Sequence, residues 1–490
     1  MVKITKNTFI EKNQDCFKDE CGVFGIFGSQ NAGVKVTLGL HALQHRGQEA
    51  AGVVSYDGKH FHSHRALGHV ADNFNSESVI NAITGNSAIG HNRYSTSGHK
   101  TVIRNVQPIF AEIDGGGLAV AHNGNLTNAS KLRNKLTKSG CIFQSTLDTE
   151  VIVHLIATSN YKNLLDRIVD ALGQIEGAYS IIILTNDGII GARDPHGVRP
   201  LVLGKLEEAY ILASETCALD ILGAKHLRQI ERGEVIHINN KGFESHKNLL
   251  RSATSKFCVF EYIYFSRPDS FVEGENVYEV RKRIGAELAK ECYIKADIVV
   301  PVPDSGVPAA IGYSTQANIP FELGIIRNHY VGRTFIQPND YSRQLGVRLK
   351  HNANNAALRD KSVILIDDSI VRGTTSKKIV EMVRDGGAKE VHMRIASPPI
   401  TNGCYYGVDT PEKNKLLASR MSVKEMGEHI GLDSIDFISI NGLYRAVSQG
   451  KIETEKIQYC DACFTGNYPI PLTDKDSNEP GLLTLLNETS

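Results

Sequence analysis

The sequence predicts two successive domains, an α+β half rich in short strands and an α/β half built on a parallel sheet. With 490 residues, the chain is long enough for two full hydrophobic cores. From about residue 21 to 250, short apolar runs alternate with Gly and Asn, a pattern typical of many short strands. Beyond a polar stretch near residues 245–257, apolar strands alternate with helices, which favours a parallel sheet flanked by helices. We therefore predict domains over residues 21–250 and 257–473, followed by a weakly ordered tail over residues 474–490.

Charge and hydropathy exclude several classes of partner. The chain has 54 basic and 54 acidic residues, so its zero net charge does not support nucleic acid or an anionic membrane as the main partner. No uninterrupted apolar run reaches the roughly 18 residues of a membrane span. Residues 1–20 mix lysines with acids and lack the apolar centre of a secretory signal, so we expect a cytoplasmic protein. The nine cysteines are then better explained as thiols, metal ligands or nucleophiles than as disulfides.

In the amino-terminal half, Cys21 stands directly before the first predicted strand. The predicted strands cover residues 22–28, 51–56, 118–122 and 178–184, and the predicted helices cover residues 34–43 and 148–157. Four polar islands lie at residues 45–48, 91–98, 122–126 and 145–150. Read alone, each island is only a turn with hydrogen-bonding side chains.

Taken together and in this order, Cys21 and the four islands closely resemble the class II glutamine amidotransferase family. That family has an N-terminal-nucleophile fold of two stacked sheets between helical layers, an αββα arrangement. The resemblance implies that residues 1–20 are a propeptide and that Cys21 becomes the first residue of the mature chain. Its thiolate would attack the side-chain amide of glutamine, with its own free α-amine as the nearby base.

The same resemblance assigns roles to four further residues. Arg93 and Asp148 would hold the α-carboxylate and α-amine of glutamine, and Asn123 and the Gly124 amide would form the oxyanion hole. The alternative for Cys21 is a small buried cysteine in a strand, which is the commonest fate of a lone cysteine. That alternative leaves the companion motifs unexplained.

In the carboxy-terminal half, the most informative run covers residues 363–376. Its apolar start predicts a buried strand, and residues 376–385 predict a helix. The small residues between them can offer amides and hydroxyls to a phosphate at the positive end of the helix dipole. Asp367 and Asp368 can accept hydrogen bonds from ribose hydroxyls or help to hold Mg²⁺. A helix cap would need only one such residue, and neither a Walker loop nor a dinucleotide-binding glycine motif is present.

This run resembles the loop that binds phosphoribosyl pyrophosphate (PRPP) in type I phosphoribosyltransferases. The resemblance assigns PRPP binding to Asp367, Asp368, Ser369, Arg372, Gly373, Thr374, Thr375 and Ser376. By the same resemblance, residues 301–306 are the pyrophosphate loop, and Ser305 joins Asp367 and Asp368 at Mg²⁺.

A basic stretch lies between the two loops, over residues 327–350. For an ordinary run of charges, a solvated basic surface would be the favoured interpretation. Here the run resembles the lid that closes over PRPP in that family. The resemblance adds Arg333, Arg348 and Lys350 to the PRPP-binding residues, where closure would exclude water from the pyrophosphate leaving group.

Four cysteines form a candidate metal site. Cys460 and Cys463 have a spacing that lets two thiolates reach one metal. Together with Cys258 and Cys404 they resemble the ligands of an iron-sulfur subgroup of glutamine PRPP amidotransferases, which implies a [4Fe-4S] cluster. Four thiolates also suit zinc, and local chemistry does not decide between the two. We expect loss of the metal to unfold the carboxy-terminal half, because the cluster would lock distant segments together.

No role is assigned to the remaining cysteines, which are Cys16, Cys141, Cys217 and Cys292.

Both halves together, from Cys21 to about Pro469, resemble the glutamine PRPP amidotransferase family. The expected reaction converts glutamine, PRPP and water to 5-phosphoribosylamine, pyrophosphate and glutamate, the first committed step of de novo purine biosynthesis. Because free ammonia is mostly protonated at neutral pH, a closed passage between the two sites is expected. The resemblance also implies a homotetramer inhibited by purine nucleotides.

Two other functions compete with this interpretation. One is a different class II amidotransferase, such as an enzyme that aminates a sugar phosphate, and the PRPP-type loop argues against it. The other is a PRPP-sensing regulator that retains the fold without turnover. The presence of Cys21, Arg93, Asn123 and Asp148 argues against a regulator.

Overall fold

The structure, a computed structural model, describes residues 21–94, 102–247, 250, 253–328, 351–449 and 458–476. These residues form two compact units. The larger unit contains the described residues up to Arg283, together with Asn402–Thr410 and those from Tyr444 onward. The smaller unit contains the described residues of Ile284–Thr401, together with Pro411–Leu443. The sequence pattern groups residues 257–283, 402–410, 444–449 and 458–473 with the second domain, whereas the structure packs them in the larger unit.

Thirteen strands build the two main sheets of the larger unit. They are β1 (Gly22–Phe27), β2 (Ala50–Tyr56), β3 (Phe61–Leu67), β4 (Ser87–Arg93), β5 (Ile109–Ile113), β6 (Gly116–Leu126), β7 (Gly177–Thr185), β8 (Gly188–Arg193), β9 (Val202–Leu206), β10 (Ala209–Ala213), β11 (Lys225–Gln229), β12 (Val235–Asn239) and β13 (Gly242–His246). One sheet has seven strands in the order β11-β9-β10-β1-β4-β2-β3, and the other has six in the order β13-β12-β8-β7-β6-β5. Every neighbouring pair in both sheets is antiparallel.

The helices of this unit are α1 (Ala32–Ala42), α2 (Val70–Asn73), α3 (Glu77–Ala82), α4 (Ala129–Lys138), α5 (Thr149–Thr158), α6 (Leu164–Gln174) and α7 (Cys217–Asp220), and α8 (Val277–Glu291) begins in it. Short 3₁₀ and π-helical turns occur at Ile103–Asn105 and Glu261–Phe265. The predicted helices over residues 34–43 and 148–157 correspond to α1 and α5, with starts that differ by one or two residues.

Alternating side chains of the central strands divide the core of the larger unit into three layers. Val23 of β1 and Ile182 of β7 share one fully buried cluster between the two sheets. Phe24 of β1 faces the opposite way and packs with Leu40 of α1. On the outer face of the six-stranded sheet, Ile181 of β7 packs with residues of α4, α5 and α6. Helices therefore cover both outer faces of two stacked sheets, which confirms the predicted αββα fold.

The smaller unit is built on a four-stranded sheet in which every pair is parallel. Its strands are β17 (Ile298–Pro301), β18 (Ile325–Arg327), β19 (His351–Ala353), β20 (Ser362–Asp367), β21 (Glu390–Ile395) and β22 (Ser434–Phe437), and the order in the parallel sheet is β17-β20-β21-β22. Its helices are α9 (Val307–Ala317), α10 (Asn355–Leu358), α11 (Thr374–Asp385) and α12 (Val423–Ile430), with 3₁₀ turns at Lys413–Lys415 and Leu417–Ser419. The predicted parallel sheet is confirmed.

Segments that are distant in sequence complete the larger unit. They form β14 (Phe257–Cys258), β15 (Phe271–Val272), β16 (Glu275–Asn276), the end of α13 (Ile440–Val447), β23 (Tyr459–Cys460), α14 (Ala462–Thr465) and α15 (Thr473–Asp476). β14 pairs in parallel with β23. Asp474 accepts hydrogen bonds from the backbone N–H groups of Ser130 (2.7 Å) and Lys131 (3.1 Å), so it caps the start of α4. A residue near the end of the described chain thus stabilises a helix of the amino-terminal half.

Within the described part of the chain, no helix combines the length and the apolar character that crossing a membrane requires.

Candidate active sites

Cys21 directly precedes β1, the central strand of the seven-stranded sheet. The side chain is buried, and its Sγ lies 3.5 Å from the Tyr94 carbonyl oxygen, to which it donates. Burial raises the pKa of the thiol to about 11, although the Tyr94 hydrogen bond and the Arg93 charge act in the opposite direction. The thiol is therefore neutral at pH 7, and it needs a base before it can act as a nucleophile.

Arg93 and Asp148 bring opposite charges to the same site. Arg93 ends β4 and Asp148 directly precedes α5, and both side chains are buried. The Arg93 charge lowers the pKa of the Cys21 thiol and the Asp148 charge raises it. The three side chains therefore lie close enough to interact electrostatically. A buried cation and a buried anion beside a nucleophile suit the carboxylate and amine of an amino acid. The structure therefore brings together three of the predicted residues.

The Asp148 carboxylate is held ionised. Burial alone would raise its pKa, but attraction to His122 and hydrogen bonds lower it below the ordinary range. Asp148 Oδ2 accepts a hydrogen bond from the Leu126 backbone N–H at 3.0 Å and also lies 3.7 Å from His122 Nδ1. Asp148 therefore keeps its negative charge well below neutral pH.

Asn123 and Gly124 lie near the end of β6, paired with Ser180 and Tyr179 of β7. Among the described residues, neither Oδ1 nor Nδ2 of Asn123 has a hydrogen-bond partner, although the side chain is 1% exposed. A buried polar group without a hydrogen-bond partner lowers the folding stability by about 1–3 kcal/mol. Such a group is therefore expected where a bound ligand makes the missing hydrogen bond. Gly124 has a φ of 147°, and a Cβ there would lie 1.9 Å from the Ala178 carbonyl oxygen. Only glycine can place its backbone at this position.

Two further residues belong to this site but are not predicted from the sequence. The Glu49 backbone N–H donates to the Arg93 carbonyl at 3.2 Å. The negative charge of the Glu49 carboxylate acts to raise the pKa values of both Cys21 and Arg93. His122 lies beside Asp148, and its carbonyl is 3.1 Å from His91 Nε2, which links β6 to β4. The only sequence signal was that Glu49 directly follows the first polar island and that His122 opens the third.

The second candidate site lies in the smaller unit, where β20 ends at Asp367. Asp367 and Asp368 are both buried, the Asp368 backbone N–H donates to Asp367 Oδ1 at 2.9 Å, and the Ser369 hydroxyl donates to Asp368 Oδ2 at 2.6 Å. The N-cap of α11 is Gly373, several residues farther on, so the aspartates are not its caps. This removes the helix-cap interpretation of the two acids.

The loop of residues 301–306 lies next to the end of β20. The Val302 backbone N–H donates to the Ile366 carbonyl at 2.8 Å, and a Cβ on Gly306 would lie 2.3 Å from the same oxygen. Ser305 and the two aspartates thus lie in neighbouring loops at the carboxyl edge of one parallel sheet. Open α/β sheets bind their ligands at this edge. Oxygen ligands grouped in this way are of the kind that Mg²⁺ prefers.

The start of α11 carries the small residues of the predicted phosphate loop. Gly373 has a φ of 79°, Ser376 is buried, and Arg372 and Thr375 are half-buried, while Thr374 is exposed. The backbone amides at this helix start form the positive end of the helix dipole, which attracts anions. Three predicted PRPP-binding residues, Arg333, Arg348 and Lys350, lie outside the described residues, as does the predicted propeptide of residues 1–20.

The four predicted metal-binding cysteines come together in the larger unit. Cys258 and Cys460 are paired in the β14–β23 ladder, and Cys463 accepts at its carbonyl from the Asn402 backbone N–H at 3.0 Å. The Cys404 thiol lies close enough to the other three thiols to raise their pKa values through electrostatic repulsion. Since all four lie in this unit, the effect of metal loss that we expected for the carboxy-terminal half is expected for the larger unit instead.

Burial raises the pKa values of Cys258, Cys460 and Cys463 above the ordinary thiol value. Thiolates are costly in this environment unless a cation stabilises them, so the donor set fits a metal group with four thiolate ligands. Among the described residues, no group of three or more His, Cys, Asp or Glu is arranged to hold a metal ion.

Comparison with known proteins gives a consistent result in both units. The family model described as "Glutamine amidotransferase domain" matches residues 91–220, and the one described as "Phosphoribosyl transferase domain" matches residues 269–398. An amidophosphoribosyltransferase of Rhizobium etli is 52% identical, over 95% of this chain and 95% of that protein.

Two solved structures are similar over nearly the whole chain. One is the glutamine PRPP amidotransferase of Bacillus subtilis in complex with ADP and GMP, with 45% identity, a TM-score of 0.88, and coverage of 94% of this chain and 100% of that one. The other is described as the allosteric regulatory enzyme of purine biosynthesis, with 45% identity, a TM-score of 0.89, and coverage of 94% and 98%.

Proposed function

The chain belongs to the amidophosphoribosyltransferase family, and we infer that it catalyses the glutamine-dependent amidation of PRPP in purine biosynthesis. The products are 5-phosphoribosylamine, pyrophosphate and glutamate. The observation that carries this function is the presence of both catalytic halves in one chain, 95% of which matches a member of the family. In the larger unit, Cys21, Arg93 and Asp148 lie within electrostatic reach of one another, as glutamine hydrolysis requires.

For glutamine hydrolysis, Arg93 binds the α-carboxylate and Asp148 binds the α-amine of the substrate. The α-amine of a liberated Cys21 takes the thiol proton, and the thiolate attacks the side-chain carbonyl carbon. Asn123 Nδ2 and the Gly124 N–H donate to the oxyanion that forms, and the proton passes from the α-ammonium to the departing ammonia. Water then cleaves the thioester to give glutamate. The partnerless amide of Asn123 supports this role.

For phosphoribosyl transfer, ammonia attacks ribose C1 as the bond from C1 to the pyrophosphate oxygen breaks. Asp367 and Asp368 accept hydrogen bonds from the ribose hydroxyls, and the amides and hydroxyls at the start of α11 bind the 5-phosphate. Mg²⁺ held by Ser305, Asp367 and Asp368 would neutralise charge on the pyrophosphate. The adjacency of the loops at residues 301–306 and 367–376 supports this assignment.

Two coupled activities test the function. Purified enzyme should release pyrophosphate from PRPP in the presence of glutamine, with one glutamate formed for each pyrophosphate. Ammonium salts should replace glutamine at alkaline pH, where more ammonia is unprotonated. Amination of a sugar phosphate without pyrophosphate release would identify a different class II amidotransferase, and binding of PRPP without turnover would identify a sensor.

We further propose that residues 1–20 are removed as a propeptide. Cleavage between Glu20 and Cys21 gives the nucleophile the α-amine that serves as its base, whereas an amide nitrogen at that position has no basicity. Intact mass measurement should show the chain beginning at Cys21. An active preparation that retains Met1 would contradict the proposal.

A [4Fe-4S] cluster is proposed as the group held by Cys258, Cys404, Cys460 and Cys463. Their mutual proximity and burial support it, and when bound it would link segments of the larger unit without taking part in the reaction. Iron and sulfide analysis should give four of each per chain, with broad visible absorption. A colourless protein with one bound zinc would rule out the cluster.

Regulation, assembly and location complete the proposal. The related B. subtilis enzyme was solved with ADP and GMP, which supports inhibition of this enzyme by purine nucleotides. We propose a cytoplasmic homotetramer. Sedimentation analysis tests the tetramer, and assays at fixed PRPP with added nucleotide test the inhibition.

A further inference from the structure

The segment of residues 402–407 lies against the end of β6, although these parts of the larger unit are far apart in sequence. The Asn125 side-chain amide donates to the Tyr405 carbonyl at 3.0 Å. Gly407 lies even closer to the strand. A Cβ on Gly407 would be 3.0 Å from both Cα and the carbonyl carbon of Gly124. The two glycine backbones are therefore in direct contact.

Gly124 is confined by β7 as well. Its own Cβ would lie 1.9 Å from the Ala178 carbonyl oxygen and 2.9 Å from Tyr179 Cα. The peptide of Gly124 is thus held between β7 and Gly407. A Cβ on Gly407 would press on the Gly124 backbone near the end of β6, which ends two residues later, at Leu126, and would tilt the Gly124 peptide.

The segment that contacts Gly124 is itself firmly anchored. The carbonyl of Tyr406 accepts from Arg199 Nε at 2.9 Å, and Arg199 is fully buried. The Tyr406 hydroxyl donates to the Ile470 carbonyl at 2.8 Å and accepts from the Ile470 N–H at 3.0 Å. These contacts make residues 402–407 a rigid support.

We propose that this segment positions the Gly124 amide for oxyanion binding, with Asn125 and Gly407 as positioning residues. The inference rests on the proposed function, in which the Gly124 N–H donates to the oxyanion. An oxyanion donor acts only when it lies close to the position the charged oxygen will occupy, so rotation of its peptide reduces transition-state stabilisation. Ground-state binding of glutamine depends on Arg93 and Asp148 instead. The segment should therefore affect the turnover number rather than the affinity for glutamine.

Asn125→Ala, Asn125→Asp and Gly407→Ala test the proposal. The aspartate keeps the size of asparagine but cannot donate to Tyr405. Each variant should lower kcat for glutamine hydrolysis by about tenfold to hundredfold. The KM for glutamine and the ammonia-dependent activity should stay within about twofold of wild type, since neither uses the oxyanion hole. Alkylation of Cys21 by iodoacetamide should proceed at the wild-type rate.

Gly140→Ala is the matched control for Gly407→Ala. Gly140 also has a positive φ, 95°, and lies in the larger unit, but a Cβ there would meet nothing within 4 Å. It therefore reports the backbone cost of the substitution without the contact to Gly124. The control should retain wild-type kcat.

Several outcomes would overturn the proposal. These are wild-type kcat in both Asn125→Asp and Gly407→Ala, a raised KM with unchanged kcat, or an equal loss of glutamine-dependent and ammonia-dependent activity. A wild-type enzyme without glutaminase activity would instead overturn the proposed function. Loss confined to the variants is thereby distinguished from failure of the function itself.

Discussion

At the residue scale, motif order places Cys21, Arg93 and Asp148 in one site, and the structure brings them within electrostatic reach of one another. Glu49 and His122 are part of the same site, but their contributions depend on contacts between strands that are distant in sequence. A linear pattern carries no signal for such contacts. Residue types and their order therefore predict the reactive groups better than the groups that position them.

Cys21→Ala should separate the two activities. Glutamine-dependent formation of 5-phosphoribosylamine should fall by more than about 10³-fold, because the nucleophile is lost. Ammonia-dependent formation should remain close to wild type. Pyrophosphate release with each nitrogen donor gives the measurement, and equal loss with both donors would contradict the role of Cys21. Cys141→Ala serves as the control, since no role is assigned to Cys141.

At the element scale, local periodicity predicts α1, α5, β20 and α11 to within about two residues. It does not predict that residues 402–410, 444–449 and 458–476 pack with the amino-terminal half. Which of two apolar surfaces such a segment packs against depends on the shapes of the surfaces. A short stretch of sequence carries no information about those shapes. Local periodicity therefore predicts individual elements, whereas the packing of distant segments depends on the whole fold.

His91 should make the stability of the larger unit depend on pH. Burial, with the nearby Arg93 charge, lowers its pKa from 6.5 to about 3. Below pH 6.5 the unfolded chain takes up a proton that the folded chain does not, so stability falls as the pH falls. From about pH 6.5 to about pH 5 the loss is roughly 1.5 kcal/mol for this one histidine.

Urea denaturation of wild type and His91→Gln at these two pH values tests the prediction. The variant should lose less stability between them, whatever its stability at the higher pH. His60→Gln, at an exposed histidine, should keep the wild-type difference. An identical pH difference in wild type and His91→Gln would show that His91 does not control it.

Asp474→Ala should destabilise the larger unit by about 1 kcal/mol, because α4 loses a carboxylate that accepts from two of its first N–H groups. Asp474→Asn should lose less, since its amide oxygen still accepts one hydrogen bond. Chemical denaturation followed by circular dichroism provides the measurement. Equal stability of wild type and Asp474→Ala would exclude the capping role.

At the scale of the whole molecule, two chemistries are joined in one chain, and each unit contributes its own set of residues. Asp367→Asn should lower 5-phosphoribosylamine formation by at least about 10²-fold with glutamine and with ammonia alike, because both donors share the phosphoribosyl site. Cys21→Ala affects only the glutamine-dependent reaction. Asp385→Asn, at the far end of α11, should retain activity with both donors. Loss with glutamine alone would place Asp367 outside the phosphoribosyl site.

The discontinuous larger unit has a consequence for biosynthesis. While the ribosome is still translating the sheet-rich half, neither the support for Gly124 nor the acceptor for α4 has been made. The contact of Gly407 with Gly124 and the hydrogen bonds of Asp474 to α4 can therefore form only after these later residues have been synthesised.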